Sequence, residues 1–561
     1  MKDLILKWAL KNAVDHNGQA VVGAVISKVI GENPEARKDM KKLVEEIRIT
    51  VEEINKLDPA EQLAKLEKFA PELLEKKVIQ QGLPELPDTK EGKVVMMFPP
   101  EPSKYATIGH AKASTINFYY ATKYKGKFII RFEDTNVNKI KKEYYDHMLE
   151  DLKWLGIKWD KVDYISKHVP KMYKAAEKLI KTGNAYMCNC PTEKVHELRG
   201  KGEACLCREN PKTENISLWK KMLENQFKKG EYSLRAKIDM QHKNAAMRDP
   251  AIMRTVIGTH PIVGDNYLVW PTYDLATAIM DGIEHITHRL RSKEFEMRAE
   301  IQQWIQNKLG IQSPYITEFA RFNLEGVPAS GRIIREKLES GELKGWDDPR
   351  IPTLISLRKR GFKPEAIRNF AINTGLSKHE SILTWDVLEA ENRKIIEPIA
   401  KRYFMVQDYV KMIVRHVPKK YKTEIKLHPN KLEMGTKRYG FPGDEVHVLV
   451  NKRDMLEKKQ NDELRLMDLM NIKLDVIGSE EVIAEFTGKE MKHGPKIIHW
   501  VDPREAIDIE ILMANGEIFY GLAEKAANKI KVDDVIQFIR FGFCRLDEKG
   551  EEVLKFRFTH T

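Results

Sequence analysis

Cysteine is scarce, with five in 561 residues. A disulfide framework is therefore excluded as the source of stability in a chain this long. Long apolar runs are missing too, and none approaches the roughly 20 residues of a membrane-spanning helix. The start, MKDLILKWALKN, carries a short apolar patch cut by Lys7 and no small-residue cleavage site, so it does not read as a secretory signal. These absences point to a cytoplasmic protein with no membrane partner. Acidic excess is also lacking: 95 Lys and Arg against 83 Asp and Glu leave a formal net charge of +12. A basic surplus attracts polyanions and speeds their encounter, without naming a nucleic acid. At roughly 100–200 residues per domain, the length implies three to five domains.

What is present is a change of pattern along the chain. Residues 1 to about 90 carry apolar side chains at three- and four-residue spacing, broken by Gly and Pro, and read as a helical domain. QQGLPELPDTKEGK reads as a linker. Val94 to Phe98 is a continuous apolar run, the mark of a strand buried on both faces. A helix from about 111 to 124, a second strand in KFIIRFED and an amphipathic helix over 138–155 follow. Strand–helix–strand–helix order implies a doubly wound, Rossmann-like parallel α/β domain, which binds ligands at the carboxyl ends of its strands. Helices return from about 330 to 395. After about 400 short strands dominate, with DEKG at 547–550 as a hairpin turn, and predict antiparallel β-barrels.

Two clusters carry chemistry. Between the first strand and its helix lies EPSKYATIGHAKA, with Gly109 and His110 at the helix start. A helix N-terminus offers unpaired N–H groups to a phosphate, glycine permits close approach, and histidine can donate to a phosphate oxygen. The second cluster is CNCPTEKVHELRGKGEACLC. Its Cys188, Cys190, Cys205 and Cys207 form two close pairs, the tetrahedral thiolate set of structural zinc. Cys544 stands alone and reads as a core residue.

FPPEPSKYATIGHAKA resembles the nucleotide-binding loop of class I aminoacyl-tRNA synthetases, whose signature ends in His-Ile-Gly-His, and more narrowly the glutamyl and glutaminyl branch. RFEDTN at 131–136, WPTYDLATAIMDGIEHITHRLRSKEF at 270–295 and GWDDPRIPTLISLRKRG fit that branch in order. The helical N-terminus and the strings IIHWV, GLAEKA and IQFIRFGF are similar to the archaeal glutamyl form. The resemblance spans nearly the whole chain. It implies ATP binding by Pro102, Ser103, Thr107, Gly109, His110, Ser330 and Arg332, with His110, Ser330 and Arg332 catalytic. It implies amino-acid binding by Glu133, which would hold the α-ammonium, with Tyr273, Thr277 and Arg291, the last binding a carboxylate. It further implies ATP with Mg²⁺, structural Zn²⁺, glutamate, tRNA(Glu) with tRNA(Gln) as a second acceptor, and a monomer. The domains it implies are a helical one at 1–90, a catalytic one at 93–330 with an acceptor-binding zinc insertion about 186–265, a helical connector at 331–398 and an anticodon-binding β-barrel region at 399–561.

The chain departs from the family's pattern at several places. The first histidine of the loop signature is Thr107, the glycine after Pro-Ser is Lys104, and the arginine before Phe-Pro-Pro is Met97. The second ATP motif, Lys-Met-Ser-Lys-Ser in the family, aligns with PASGR, so that its second lysine is Gly331. These departures keep two other readings in play: a glutaminyl enzyme, and a tRNA-binding paralogue that has lost catalysis.

Overall fold

A computed structural model describes residues 1–15, 18–70, 83–327, 331–379, 381–491 and 493–561. Ser330, with Pro328 and Ala329, lies outside the described residues. The chain divides into two compact units, 1–82 and 83–561.

The first unit contains α1 (Lys2–Asp15), α2 (Val22–Glu32), α3 (Met40–Ile54) and α4 (Pro59–Phe69). Their apolar stripes meet in a core of Ile5, Ala9, Val25, Val29, Leu43, Ile47, Val51 and Leu66. Local chemistry sets α4: Asp58 Oδ1 accepts from the backbones of Ala60 and Glu61 at 2.8 Å, and Pro59 supplies a helical φ at the first position. Behind it, buried Gln62 reaches the carbonyls of Gly18, Ile54 and Leu57 at 2.9–3.1 Å and ties the α1–α2 loop to the end of α3 and the turn after it.

The second unit begins earlier than the linker composition suggests. Leu83 and Leu86 are buried in its core, and Tyr120 donates to Pro84 O at 2.6 Å. Its sheet is built from β1 (Val95–Phe98), β2 (Lys127–Phe132) and β3 (Lys161–Tyr164), all parallel, linked by α5 (Ile108–Lys123) and α6 (Lys142–Trp154). α5 starts at Ile108, three residues before the expected position, which brings Gly109 and His110 into its first turn. α6 starts at Lys142 rather than near 138, because the backbone N–H groups of Lys139 and Lys141 are held by Asn136 O in the preceding loop and by Pro102 O in the loop after β1.

Next comes the zinc-motif region. α7 (Val169–Lys181) leads into an antiparallel sheet of β4 (Ala185–Cys188), β5 (Ser233–Ala236), β6 (Ala251–Thr255) and β7 (Val269–Pro271), with α8 (Thr192–Lys201) and α9 (Lys212–Leu223) between its first two strands. α10 (Tyr273–Ile283) then returns to the parallel sheet through β8 (His288–Ser292), α11 (Glu296–Leu309) and β9 (Tyr315–Phe319). β8 and β9 are parallel, and Thr287 N–H donates to Val95 O at 3.1 Å, joining β8 to β1. The strand order is thus β3-β2-β1-β8-β9, an open parallel sheet.

Alternation sorts its two faces. Met96 and Phe98 of β1, Phe128, Ile130 and Phe132 of β2 and Leu290 of β8 join α5 in one core. Met97 and Ile129, opposite each other in register, pack with Ile286 on the other face. Arg131, two residues beyond Ile129, shares that second face, as do Arg289 and Arg291, which flank Leu290.

The region 331–398 is largely helical: α12 (Gly331–Glu339), α13 (Leu354–Arg360), α14 (Pro364–Asn373) and α15 (Trp385–Ile396). Beyond it are two β bodies. One six-stranded sheet is formed within 409–498, and a seven-stranded sheet joins 402–406 to strands of 507–560. They are barrel-like, but not wholly antiparallel. Four pairings are parallel, such as 507–512 with 553–560, and each joins strands distant in sequence. Tight hairpins force antiparallel neighbours; distant strands are free of that constraint. The last hairpin turns at 550–552, because DEKG continues the strand that pairs Lys549 with Leu554. Among the described residues no helix is long and apolar enough to cross a membrane.

Candidate active site

The loop expected to bind nucleotide runs from β1 to α5. Pro102 and Ser103 are buried, and Ser103 Oγ donates to Glu101 Oε2 at 2.9 Å. A second segment clips the loop from outside. Ile108 N–H donates to Pro352 O at 3.0 Å, Leu354 N–H to Ala106 O at 2.9 Å, and Tyr105 stacks on Trp346 with centroids 5.3 Å apart. GWDDPRIPTL therefore braces the loop that the sequence placed at the helix mouth. Gly109 leaves the approach open: a Cβ there would meet only Thr107 Oγ1, at 3.7 Å.

Thr107 precedes the helix, and its N–H donates to His110 Nδ1 at 3.0 Å, with Thr107 Oγ1 at 3.0 Å from the same nitrogen. An amide can only donate, so Nδ1 is bare and the ring proton sits on Nε2. Burial, with the charges of Lys104 and Arg321 nearby, holds the His110 pKa down to about 3. The imidazole is neutral at pH 7 and keeps one N–H to donate. Arg335 on α12 donates from Nη1 to Ser103 O at 2.9 Å, drawing that helix against the loop. The Arg332 side chain on the same helix is exposed, with Nε 3.6 Å from Glu336 Oε1 one turn along.

The expected amino-acid residues come together on the second face of the sheet. Glu133, just past β2, accepts from Thr277 Oγ1 of α10 at 3.4 Å. Burial pushes Glu133 up to about 7, while Arg131 pulls it down. Tyr273 starts α10; burial and then the Glu133 charge raise its pKa, with Arg291 opposing. Its ring lies 5.2 Å from that of Phe295, which also has the Arg291 guanidinium 6.0 Å above it. Arg291 donates to Gln302 Oε1 at 2.9 Å and pairs with Glu318 at 3.4 Å.

Two arginines here lay outside the sequence expectation. Arg131 is fully buried, with Nη1 3.0 Å from Asp281 and 3.2 Å from Glu284, and Nε 3.5 Å from Glu133. Arg289 pairs with Asp281 and donates to Gln302; burial lowers its pKa to about 9. Among the described residues, Arg131 Nη2, Arg289 Nε and Arg291 Nε are buried donors with no hydrogen-bond acceptor. A buried unsatisfied donor costs about 1–3 kcal/mol, so three in one place make a site suited to an anion. An acid beside a fork of guanidinium donors matches an amino acid, ammonium to Glu133 and carboxylate to arginine. The signal was present in the sequence: a charged residue inside FIIRF and the R-x-R spacing of HRLRS, both in strands otherwise buried. Met97, which lacks the family's arginine charge, packs with Ile129 and Ile286 on the same face of the sheet as these arginines.

The four zinc-motif sulfurs lie within 4.8 Å of one another, with Cys188 and Cys205 at 3.9 Å and Cys190 and Cys207 at 3.8 Å. Zn–S bonds of about 2.3 Å in a tetrahedron give edges of about 3.8 Å, so the donor set can hold zinc. The Arg235 guanidinium stands 3.6 Å from Cys205 Sγ and 3.7 Å from Cys188 Sγ, where it would offset thiolate charge. Cys544 is buried in the C-terminal core, as expected.

A family model described as the catalytic domain of class I tRNA synthetases (E and Q) matches residues 93–398. Two models for the anticodon-binding domain of the same class match 400–489 and 497–547. The chain is 40% identical over 573 residues to the glutamate–tRNA ligase of Thermococcus onnurineus (strain NA1), covering 100% of both. It is 41% identical over 567 residues to that of Pyrococcus abyssi (strain GE5 / Orsay), covering 98% of each. With the glutamate–tRNA ligase of Methanocaldococcus jannaschii it shares 37% identity over 555 residues, again 98% of each.

Proposed function

Because the chain belongs to the class I tRNA synthetases of the E and Q group, we infer that it is an aminoacyl-tRNA ligase and that its amino acid is glutamate. The observation that carries this reading is one of adjacency. His110 on the helix after β1 and the Glu133–Thr277 pair after β2 stand at the carboxyl ends of neighbouring parallel strands, where open α/β sheets bind ligands.

In this reading Glu133 holds the α-ammonium of glutamate, and Tyr273 and Thr277 line its pocket. Arg291 binds a carboxylate, with Arg131 and Arg289 adding positive charge beside Met97. The α-carboxylate attacks the α-phosphorus of ATP; the bond to the bridging oxygen breaks and pyrophosphate leaves. A terminal ribose hydroxyl of tRNA then attacks the carbonyl of the mixed anhydride and AMP departs. His110 donates its Nε2 proton as a hydrogen bond to a phosphate oxygen, and Pro102, Ser103, Thr107 and Gly109 shape the loop that receives the triphosphate. Ser330 and Arg332 would contribute from the second motif, Arg332 by leaving Glu336. Catalysis of this kind is positioning and electrostatics. Mg²⁺, when bound, neutralises phosphate charge. Zn²⁺ would be held by Cys188, Cys190, Cys205 and Cys207 and fix the insertion that meets the acceptor end. Residues 331–398 would contact tRNA, and the β bodies from 399 onward would take the anticodon arm of tRNA(Glu), with tRNA(Gln) as a second acceptor. The protein would work in the cytoplasm as a monomer.

Three guanidinium groups on the face that holds Met97 favour glutamate over glutamine, since a carboxylate answers their open N–H groups better than a neutral amide. ATP–pyrophosphate exchange in the presence of tRNA tests the reading. Exchange that depends on glutamate and not glutamine is expected. Preference for glutamine would favour the glutaminyl reading, and no exchange with any amino acid would favour a tRNA-binding paralogue.

A further inference from the structure

We propose that Lys104, in the first nucleotide loop, is the residue whose ammonium contacts the transferring phosphates, in the space left by Gly331 at the start of α12. The proposal rests on the synthetase reading above and adds to it the source of a charge that the second motif lacks.

The geometry carries it. Lys104 is half-buried, yet among the described residues its ammonium has no hydrogen-bond acceptor and no carboxylate within 4.0 Å. The nearby acids are already engaged. Glu101 accepts from Ser103 Oγ at 2.9 Å and from Asn136 Nδ2 at 3.4 Å. Glu294 accepts from Ser292 Oγ at 2.8 Å and pairs with Arg321. An ammonium stripped of part of its water and left without a counter-charge is costly, and it becomes favourable only with an anion beside it.

The stem of Lys104 crosses to α12. A Cβ on residue 331 would overlap Lys104 Cδ and would stand 3.2 Å from Cε and 3.1 Å from Nζ. The Lys104 stem therefore fills the place where a side chain at 331 would begin, with its ammonium in contact beside it, and lysine at both positions would collide. Lys104 is near enough to His110 for its positive charge to be the strongest charge effect on that imidazole, and Arg321 is the next. Burial and the charges of Arg321 and Arg335 lower the Lys104 pKa itself. The cation thus faces the helix start that would hold a triphosphate. The sequence departures fit one event. Glycine after Pro-Ser has become Lys104, and the lysine of the second motif has become Gly331, so one positive charge has moved between two loops that touch.

The test uses the full chain, with ATP–pyrophosphate exchange under glutamate and tRNA, and with calorimetric ATP binding. Lys104→Ala is expected to lower kcat by about 10²–10³-fold, the usual loss for one transition-state donor. Its glutamate KM should change little. Lys104→Gly combined with Gly331→Lys is expected to recover activity to within about tenfold of the parent, whereas Gly331→Lys alone loses activity through the collision. Recovery in the exchanged pair is a readout that a purely structural lysine would not give. Lys104→Ala with a third or more of the parental kcat overturns the proposal, and so does an exchanged pair no more active than Lys104→Gly. ATP binding separates this from the choice of amino acid: a parent chain that binds ATP but exchanges with nothing refutes the synthetase reading. In that case weaker ATP binding by Lys104→Ala, restored in the exchanged pair, still supports Lys104, and unchanged binding refutes it.

Discussion

Thr107 N–H donates to Nδ1 of His110 at 3.0 Å, and this bond decides which imidazole nitrogen keeps its proton. The threonine stands where the family's signature has its first histidine, so the residue that departs from the pattern orients the residue that keeps it. Nitrogen-15 chemical shifts should show His110 protonated at Nε2 and neutral from pH 8 down to about 4, since its pKa is lowered to about 3. The folding consequence has a definite sign. In the unfolded chain the ring titrates near 6.5, so its neutral native form adds stability above that pH and loses it as pH falls from 6.5 towards about 3. His110→Ala is expected to cost about 10²–10³-fold in kcat of exchange. A variant within threefold of the parent would remove His110 from the phosphate site.

Glu133 should give the reaction its acid limb. Its carboxyl is pushed up to about 7 by burial, and only the ionised form holds an ammonium. Glutamate KM is expected to be flat above pH 8 and to rise by about tenfold per unit well below 7. Glu133→Gln should bind glutamate weakly at every pH, with the limb gone. A limb that survives this substitution would belong to another group. For stability the sign is opposite to that of His110: the native pKa lies above the unfolded value of 4.5, so this group makes folding more favourable as pH falls from about 7 to 4.5.

Arg291 should act by shape as well as charge. It donates to Gln302 at 2.9 Å and keeps a buried Nε with no acceptor among the described residues, a donor that a substrate carboxylate can use. Arg291→Lys keeps the charge and loses the planar fork, and the expected rise in glutamate KM is about tenfold, or about 1.4 kcal/mol. Steady-state exchange at saturating ATP measures it; an unchanged KM would place the carboxylate elsewhere.

Much of this was legible in the sequence, for identifiable reasons. The buried strand at Val95–Phe98 and the phosphate-type turn at Gly109 and His110 follow from local pattern. The cysteine pairs needed only spacing. Helix starts were missed where backbone donors were captured by distant loops, as at Lys141 with Pro102. Arg131 and Arg289 were overlooked because which face of a strand meets a ligand is decided by packing. The contact of Lys104 with Gly331 joins residues 227 positions apart in the chain, and only the fold makes them neighbours. The C-terminal strands showed clean alternation, yet parallel pairing between distant strands has no local signature.

The cysteine cluster makes a last prediction that separates architecture from chemistry. Four sulfurs within 4.8 Å should bind zinc at one equivalent per chain, measurable by elemental analysis of the purified protein. They sit between β4 and α9, whereas the nucleotide loop and Glu133 belong to the parallel sheet. Removing zinc should therefore spare amino-acid activation and impair transfer to tRNA. Cys205→Ser, which breaks the pair with Cys188 and the approach of Arg235, is expected to lose the metal. Aminoacylation should fall by about 10–100-fold, the scale seen when the support of a metal site is removed. Exchange is measured with saturating tRNA, so that both assays contain the same partners. Equal losses in exchange and in transfer would show that the cluster supports the whole catalytic body, and a metal-free parent with full transfer activity would show that the four thiols need no zinc.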